Sequence, residues 1–469
     1  MSGALAALQS ALPELPLSTD PGDLDHYGRD WTRRWPPAPL AVARPGRIDE
    51  VQAIVRWAGE QAIAIVPSGG RTGLSGGAVA ARGELVLSLE RMNKVLAFDA
   101  IDRTLSVQAG ITLAAAQQAA GAQDLYYPVD FAARGSCTIG GNIATNAGGI
   151  RVLRHGNTRE WVAGLKAVAA DGSLLDLNRG LVKNASGYDL RHLLIGSEGT
   201  LGVIVEASLR LTAPPPPSQV MLLALPELAA LMPVFKACRQ RLSLSAFEFF
   251  TDRALHHVLA AGAQAPFADS HPVHALVEFD VDDDDAQSDS DHDGQARALA
   301  LFEHGLEQGW IADGVISHSQ ADAAALWRLR EGITEALAPH RPYKNDISMR
   351  ISAIPGFMTQ IQALFARDYP GFDVIWFGHI GDGNLHINIL PPERMSGEDF
   401  LARCEQVTGQ LSRALAACGG SISAEHGIGL VKKPWLGDTR SAAEIAWMRA
   451  MRTALDPAGL FNPGKLFDP

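Results

Sequence analysis

Cysteine is scarce in this chain. Four cysteines occur in 469 residues, at positions 137, 238, 404 and 418, and no two of them form a C-x-x-C pair. This usage is typical of proteins kept reduced, so we expect a cytoplasmic protein. The first twenty residues also lack the basic region that begins a secretory signal.

Two further absences limit the class of partner. The formal net charge is −12, which argues against a nucleic acid or an anionic membrane surface as the partner. No apolar run approaches the roughly 20 residues that a membrane-spanning helix needs. The sequence therefore predicts a protein with no membrane span and no nucleic-acid partner.

What remains is ordinary globular composition, with 47% hydrophobic and 20% charged residues. The length suggests about two to four domains or layers. Four consecutive prolines in "TAPPPPSQ" (Thr212–Gln219) interrupt the chain as a stiff linker would. An acidic run, Asp280–Gly294, is interpreted as a solvated loop; its spacing does not fit an EF-hand, although a calcium loop is an alternative.

Periodicity before the proline linker alternates between helix and strand. "EVQAIVRWAGEQ" has helical spacing, with Val51, Ile54, Val55 and Ala58 on one face. The segments "AIAIVP", "ELVLSL" and "TLSVQAG" have strand composition, and "WVAGLKAVAADGSLLDL" reads as two strands about a turn. Residues 1–35 are expected to form an amphipathic helix and a loop.

Three glycine-rich segments each lie beside a predicted strand: "PSGGRTGLSGG" (Pro67–Gly77), "GSCTIGGNIATNAGG" (Gly135–Gly149) and "IGSEGTLGVI" (Ile195–Ile204). Glycine lets backbone N–H groups approach an anion closely. Neither a P-loop nor a Rossmann fingerprint is present. One such loop could be a plain turn, but three of them fit a long ligand with a diphosphate and two ring systems.

These segments, with "KNASGYDLRHLL" before the third and the terminal "FNPGK", resemble the vanillyl-alcohol oxidase (p-cresol methylhydroxylase) type of flavoprotein over about residues 38 to 467. The resemblance implies an α+β fold. It divides the chain into an N-terminal helix and loop (1–37), a two-subdomain FAD-binding domain (38–214), a substrate domain of antiparallel sheet plus helices (215–420) and a helical C-terminal segment that returns to the flavin (421–469).

FAD is the cofactor that this resemblance implies. Some members link the flavin covalently through a histidine of the first loop; Arg71 stands in that loop here, so we expect non-covalent FAD. The expected FAD-binding residues are Pro67, Ser68, Gly69, Gly70, Arg71, Thr72, Gly73, Gly76, Gly77, Gly135, Ser136, Gly140, Gly141, Asn142, Thr145, Asn146, Gly148, Gly149, Glu198, Gly199, Gly202, Ile204 and Asn462.

A histidine-bearing hairpin is predicted in "WFGHIGDGNLHINIL" (Trp376–Leu390). With the turn centred on Asp382–Gly383, His379 and His386 become direct cross-strand partners, with Cβ atoms about 4.5–5.5 Å apart. Two imidazoles at that separation can share one cation. The alternative is a pair of satisfied histidines on an exposed hairpin face.

Further along, "SAEHGIG" places Glu425 beside His426 in a glycine-bounded loop. Two histidines and a glutamate are a common catalytic metal set. The hairpin and this loop together resemble the metal-containing D-2-hydroxyacid dehydrogenases. That resemblance implies that His379, His386 and Glu425 bind a divalent ion, usually zinc with manganese as the alternative, and that His426 is the catalytic base.

The substrate is suggested by "WRLREGIT", with Arg330 and Thr334 one helical turn apart, and by "YKNDIS" with Lys344. Taken singly, each could be an ordinary surface residue. Together these motifs resemble the D-2-hydroxyglutarate dehydrogenases. The resemblance implies that Arg330, Thr334 and Lys344 hold the distal carboxylate of the substrate, with Asn388 and His426 as further substrate contacts. Arginine suits this role because it can grip a carboxylate bidentately.

The reaction implied is oxidation of D-2-hydroxyglutarate to 2-oxoglutarate, with the C2 hydride passing to flavin N5 and the hydroxyl proton to His426. A D-lactate, D-malate or glycolate dehydrogenase is the alternative within the class. A non-catalytic flavin- and metal-binding subunit is the alternative outside it. An electron-transferring flavoprotein is one possible acceptor, and a homodimer is plausible for the family.

Overall fold

The computed structural model describes residues 3–281 and 294–468, so most of the acidic run at 280–294 lies outside the described residues. The strands are β1 Leu17–Ser18, β2 Ala41–Ala43, β3 Ile65–Ser68, β4 Leu85–Ser88, β5 Val95–Asp99, β6 Thr104–Gln108, β7 Val162–Val168, β8 Leu174–Leu177, β9 Val203–Arg210, β10 Ser218–Leu225, β11 Leu244–Thr251, β12 Val273–Asp280, β13 Asp313–Ile316, β14 Tyr343–Ser348, β15 Asp373–Gly378 and β16 Asn384–Leu390.

The α-helices of the described residues are α1 Gly3–Ala11, α2 Pro21–Tyr27, α3 Ile48–Glu60, α4 Leu113–Gly121, α5 Ile139–Thr145, α6 Val152–His155, α7 Arg191–Leu194, α8 Leu231–Arg241, α9 Asp252–Ala260, α10 Gly294–Glu307, α11 Gln320–Leu337, α12 Ile354–Asp368, α13 Gly397–Cys418, α14 Leu436–Thr439 and α15 Ala442–Leu455. Within the described residues, no helix combines the length and the apolarity needed to cross a bilayer.

Two compact units divide the chain. The first unit contains residues 1–149, 155–214 and 425–469, and the second contains residues 150–154 and 215–424. The first unit is therefore assembled from three separate stretches of sequence, whereas the second is almost continuous.

The first unit contains two sheets. One has the strand order β1-β2-β4-β3, in which β4 runs parallel to both β2 and β3. The other is antiparallel, with the order β5-β6-β9-β7-β8. The predicted apolar stripe of α3 is confirmed, since Val51, Ile54, Val55 and Ala58 are all buried in the core of this unit. The predicted turn between β7 and β8 is also confirmed.

The second unit is built on one antiparallel sheet of seven strands, in the order β13-β10-β12-β11-β15-β16-β14. Helix α11 begins at an N-cap, where the Ser319 side chain accepts the amide of Asp322. Its residues Leu329, Ile333 and Leu337 enter the core of the sheet. The sheet thus brings α11 and the strands β11, β14, β15 and β16 into one packed body.

A buried imidazole gives this second unit a predictable acid sensitivity. His274 of β12 lies opposite Phe250 and stacks on it with ring centroids 5.2 Å apart, and Phe267 covers the other side. Burial lowers the pKa of His274 from 6.5 to about 4, against the smaller opposing effect of Asp252. The folded state therefore keeps His274 neutral at pH values where the unfolded chain binds a proton.

The contribution of neutral His274 to the free energy of unfolding is present above pH 6.5 and is expected to be lost as the pH decreases towards 4. At pH 5 the expected loss from His274 is about 2 kcal/mol. Urea unfolding at pH 7.5 and pH 5 would measure it, with His274→Phe as the comparison because phenylalanine cannot be protonated. Equal losses in the wild type and the variant would contradict this assignment.

Candidate active site

The first two glycine loops of the first unit pack directly on each other. The first loop leaves β3 at Ser68, and the second leads into α5. A Cβ on Gly70 would lie 2.0 Å from the carbonyl oxygen of Ser136, and a Cβ on Gly69 would lie 2.3 Å from Thr138 Oγ1. At Gly70 the backbone of the second loop leaves no room for a side chain, and at Gly69 the Thr138 hydroxyl occupies that space.

The C-terminal "FNPGK" motif ties the first loop to the third. The Asn462 side-chain amide donates to the carbonyl oxygen of Gly77 at 2.8 Å and to that of Glu198 at 2.7 Å. Asn462 itself is fixed by backbone bonding to Ile65 of β3. Residues far apart in the sequence therefore converge around one set of loops.

Several buried polar atoms at these loops lack hydrogen-bond partners among the described residues. They are Thr138 Oγ1, Ser197 Oγ and Asn462 Oδ1. Buried polar groups normally have partners, so these hydroxyls and this amide oxygen are donors and acceptors suited to a polar ligand. Together with the close-packed glycines, they fit the FAD predicted from the sequence.

Substitution at Gly70 is expected to weaken FAD binding. A methyl group there must displace the backbone of the second loop, and such overpacking costs about 1–3 kcal/mol, or about a 5- to 150-fold loss of affinity if FAD binding bears the cost. The measurement is FAD affinity of Gly70→Ala by fluorescence titration of the apoprotein. Gly59→Ala is the control, because nothing lies within 4 Å of its added methyl group. An unchanged affinity for Gly70→Ala would contradict the cradle.

Arg71 occupies the first loop in a left-handed conformation, with φ +56°. Its guanidinium donates to the Gly69 carbonyl oxygen at 3.0 Å, lies 2.9 Å from His26 Nε2 and sits over the ring of Tyr27. The N-terminal helix α2 thus contacts the first glycine loop. That the flavin is non-covalent stays a prediction.

The carboxylate of Glu198, in the third loop, is bound by backbone amides of the protein itself. The amides of Ile428 and Gly429 donate to its two oxygens at 2.7 and 2.8 Å. Burial raises the pKa of Glu198, and the two amide donors act against that rise. A Cβ on Gly427 would lie 2.9 Å from the carboxyl carbon. The loop that follows Glu425 and His426 is therefore anchored on a predicted flavin loop.

In the second unit, the hairpin register differs from the prediction. His386 lies directly opposite Phe377, not His379, because the loop between β15 and β16 contains five residues, 379–383. Gly383 takes φ +90°, and the Asn384 amide donates to the carbonyl oxygen of His379. The predicted direct pairing is wrong, yet the two imidazoles remain neighbours, with ring centroids 5.3 Å apart.

Carboxylates on neighbouring strands support both histidines. His379 Nδ1 lies 2.7 Å from Glu248 Oε1, and His386 Nδ1 lies 3.8 Å from Asp346 Oδ1. When His379 Nδ1 carries the proton and donates a hydrogen bond to Glu248, the lone pair is on Nε2, which can then bind a cation. Metal-binding histidines are characteristically held in this way, so the donor set fits a divalent ion.

Arg330 of α11 is buried beside the same carboxylate. Its Nη2 lies 2.8 Å from Glu248 Oε2, although the two groups are not aligned as a hydrogen bond, and its guanidinium carbon lies 4.9 Å from the Phe377 ring centre. Arg330 Nε has no partner among the described residues. Thr334, one turn along, is exposed.

Lys344 of β14 lies opposite Asn388 of β16. Asn388 is buried and Lys344 is half-buried. Burial lowers the pKa of the Lys344 ammonium. Within the described part of the chain, Lys344 has no hydrogen-bond or ion-pair partner. An enclosed cation without a counter-charge is a candidate carboxylate-binding group.

Sequence reasoning missed Glu248 and Asp346. Each is a fully buried carboxylate inside a strand, "SAFEFF" for the first and "YKNDIS" for the second. A charge at a buried strand position is a signal that a partner is present. The partners could not be identified, because they lie on other strands and on α11.

The remaining predicted residues belong to the first unit. Glu425 and His426 begin its last stretch, directly after the end of the second unit at residue 424. Ser421 is held by paired backbone bonds to Ser348, the last residue of β14. Glu425 is therefore only four residues from a point fixed on the strand next to β16, a reach of up to about 14 Å of extended chain.

Comparisons with known proteins show the family to which this chain belongs. Residues 214–466 match the family "FAD linked oxidases, C-terminal domain", and residues 39–178 match "FAD binding domain". The chain is 67% identical to D-2-hydroxyglutarate dehydrogenase of Xanthomonas citri pv. viticola, covering 99% of this chain and 97% of that protein. It is 49% identical to the protein of the same name from Stutzerimonas stutzeri, covering 96% and 95%.

Among solved structures, p-cresol methylhydroxylase with substrate bound superposes with a TM-score of 0.76 at 13% identity, covering 99% of this chain and 96% of the other. At that identity the likeness concerns the fold alone. It confirms the predicted α+β fold of the vanillyl-alcohol oxidase type.

Proposed function

Because this chain belongs to the FAD-linked oxidase family and is an FAD-dependent oxidoreductase, we propose that it oxidises D-2-hydroxyglutarate to 2-oxoglutarate. One observation carries the choice of substrate. The second unit holds a half-buried ammonium, Lys344, that has no counter-charge among the described residues. It lies on β14, which pairs with the strand that carries His386. A substrate with a second carboxylate would supply that charge.

Arg330 complements Lys344 in this proposal. Its guanidinium is buried, and its Nε lacks a partner among the described residues. Glu248 already lies 2.8 Å from Arg330 Nη2, so Arg330 would offer its remaining N–H groups to the substrate. The ammonium of Lys344 has no counter-charge among the described residues, and the second carboxylate of a dicarboxylate would supply one. Asn388, opposite Lys344, offers a neutral hydrogen-bonding group beside it. The role of Thr334 as a further contact rests on the family motif, since its side chain is exposed.

His379 and His386 would hold a divalent ion, with Glu425 as the third ligand. The donor set of two imidazoles and one carboxylate suits zinc and also manganese. When bound, the ion would lower the pKa of the substrate hydroxyl, and FAD would accept the hydride. The short tether from Ser421 to Glu425 supports the carboxylate as the third ligand.

His426 would take the hydroxyl proton. A neutral imidazole suits this role near pH 7. The two amide bonds from the following loop to Glu198 fix the backbone immediately after His426. A base held in this way needs little reorganisation when the substrate arrives.

Three finer proposals follow the family. Electrons would leave the flavin to an electron-transferring flavoprotein or a similar acceptor. The protein would work in a reducing compartment such as the cytoplasm, consistent with four free thiols, three of them buried. A homodimer is the proposed assembly.

The test is anaerobic reduction of the bound flavin by a panel of acids: D-2-hydroxyglutarate, D-malate, D-lactate and glycolate. In the wild type, D-2-hydroxyglutarate is expected to bleach the flavin absorbance faster than the other acids do. Removing a buried charge that pairs with the substrate costs about 2–5 kcal/mol, so Arg330→Ala should lower kcat/KM for this acid by about 30-fold or more while D-lactate changes little. Lys344→Met should act in the same direction.

Arg328→Ala is the matched control, because Arg328 is exposed on the same helix. Equal losses for D-lactate and D-2-hydroxyglutarate would refute the carboxylate clamp. Faster bleaching by D-malate, D-lactate or glycolate would reassign the substrate. A flavin that none of the acids reduces would indicate a non-catalytic subunit.

A further inference from the structure

One carboxylate in the second unit contacts both a predicted metal ligand and a predicted substrate-binding residue. Glu248 lies in the middle of β11 with 1% of its surface exposed. Its Oε1 is 2.7 Å from His379 Nδ1, and its Oε2 is 2.8 Å from Arg330 Nη2. Each oxygen therefore faces a different predicted site residue, one from the hairpin loop and one from α11.

The backbone around Glu248 explains this placement. Phe249 is paired with Gly378 at the end of β15, and the carbonyl oxygen of Phe247 accepts the amide of Gly381. The strand thus holds the start and the middle of the five-residue histidine loop from both sides of Glu248. These pairings fix the backbone of Glu248 relative to that loop.

A carboxylate this deeply buried needs compensating groups. The Arg330 guanidinium supplies the charge, and the His379 N–H supplies a hydrogen bond. In return, the carboxylate holds one end of the guanidinium, whose carbon lies 4.9 Å from the centre of the Phe377 ring. The three groups form a single unit in which each restricts the other two.

We propose that Glu248 is a positioning residue that couples metal binding at His379 to recognition of the distal carboxylate at Arg330. This inference rests on the proposed function and adds a residue that no motif assigns. By accepting a hydrogen bond from Nδ1–H, the Glu248 carboxylate selects the tautomer of His379 that presents Nε2 as a ligand. The same hydrogen bond makes Nε2 a stronger donor to a metal ion. Because one side chain serves both sites, the divalent ion and the dicarboxylate should each strengthen binding of the other.

Replacing Glu248 by glutamine removes the charge that both His379 and Arg330 contact, with little change in side-chain volume. The glutamine side chain has one acceptor oxygen and one NH₂ group, whereas both partners of Glu248 are donors. The NH₂ group must therefore face either the imidazole N–H or the guanidinium. Whichever partner it faces loses an acceptor, and the buried charge of Arg330 loses its counter-ion in either case.

The experiment compares FAD-loaded wild type, Glu248→Gln and Glu278→Gln. Glu278 is the matched control: it is a buried carboxylate on the adjacent strand β12, bonded to Ser245 and Trp327. Zn²⁺ affinity is measured by competition with a chelating dye, without and with D-2-hydroxyglutarate. KM for D-2-hydroxyglutarate and D-lactate is measured at saturating Zn²⁺.

Glu248→Gln is expected to lower Zn²⁺ affinity about 10- to 100-fold, to raise KM for D-2-hydroxyglutarate more than for D-lactate, and to weaken the effect of substrate on Zn²⁺ affinity. Glu278→Gln should leave all three values near those of wild type. Unchanged Zn²⁺ affinity, or an equal rise in both KM values, would overturn the proposal.

A variant that does not fold still leaves a test. Glu248→Asp retains two acceptor oxygens on a shorter side chain, so it should show the same changes at reduced size; wild-type values for it would also overturn the proposal. Failure of the proposed function would give a different result from failure of the Glu248 proposal. Wild type that binds Zn²⁺ but does not oxidise D-2-hydroxyglutarate would end the assigned substrate while the Zn²⁺ affinities still report on Glu248.

Discussion

His379→Ala is expected to lose the divalent ion and nearly all activity while it retains FAD. Removing an imidazole leaves a site of two ligands, which holds a divalent ion weakly. Loss of the ion removes several kcal/mol of charge stabilisation from the transition state, so kcat/KM should fall on the order of a thousandfold or more. FAD should remain, because the glycine loops belong to the other compact unit.

Metal content by elemental analysis, flavin absorbance and kcat/KM would be measured on the same preparation. His256→Ala is the control, since His256 is an exposed histidine of the same unit. The metal's role would be refuted by full turnover of a thoroughly metal-stripped, FAD-replete wild type. Retention of the ion by His379→Ala would instead remove this residue from the ligand set.

His426→Gln should lower kcat by about 10²–10⁴-fold, the usual contribution of a general base. The metal and the flavin should both stay bound, because the glutamine leaves the anchored backbone of residues 427–429 unchanged. That combination separates this variant from His379→Ala, which loses the ion. Rapid anaerobic reduction of the flavin measures the chemical step directly.

The comparison for this second substitution is His192→Ala, an exposed histidine of the first unit. A wild-type rate of flavin reduction in His426→Gln would show that another group accepts the proton. A fall in rate accompanied by loss of the ion would mean that residue 426 supports the metal rather than the proton transfer.

Local patterns in the sequence predicted the elements that depend on local physics. The stripe on α3 follows from helical periodicity, since its four apolar residues recur at spacings of three and four and all are buried. The strands β7 and β8 flank the turn that the sequence predicted between them. Such features need no knowledge of which other segment packs against them.

The hairpin register shows where local reasoning fails. Turn residues at Asp382–Gly383 predicted a two-residue connection, but the loop spans five residues and moves His386 opposite Phe377. Loop length sets strand register, and composition alone does not determine loop length. The two imidazoles nevertheless lie close, with ring centroids 5.3 Å apart, because His379 directly follows β15 and His386 is near the start of β16.

Glu248 illustrates a different limit. Its two partners, His379 and Arg330, lie more than eighty residues along the chain, and they meet it only because β11 pairs with β15 while α11 packs on the same sheet. Those relations are tertiary. The family resemblance supplied the predicted metal ligands and clamp residues from motifs, but a supporting residue without a motif requires the fold.

The three-part construction of the first unit has a consequence for biosynthesis. Its strand β3 takes Phe461 as a bridge partner, and Asn462 joins two of its loops. A growing chain therefore cannot complete this unit until its last residues leave the ribosome, whereas residues 215–424 can already collapse on local contacts. Nascent chains that stall before residue 461 should emerge colourless, and cofactor uptake should be the last event of maturation.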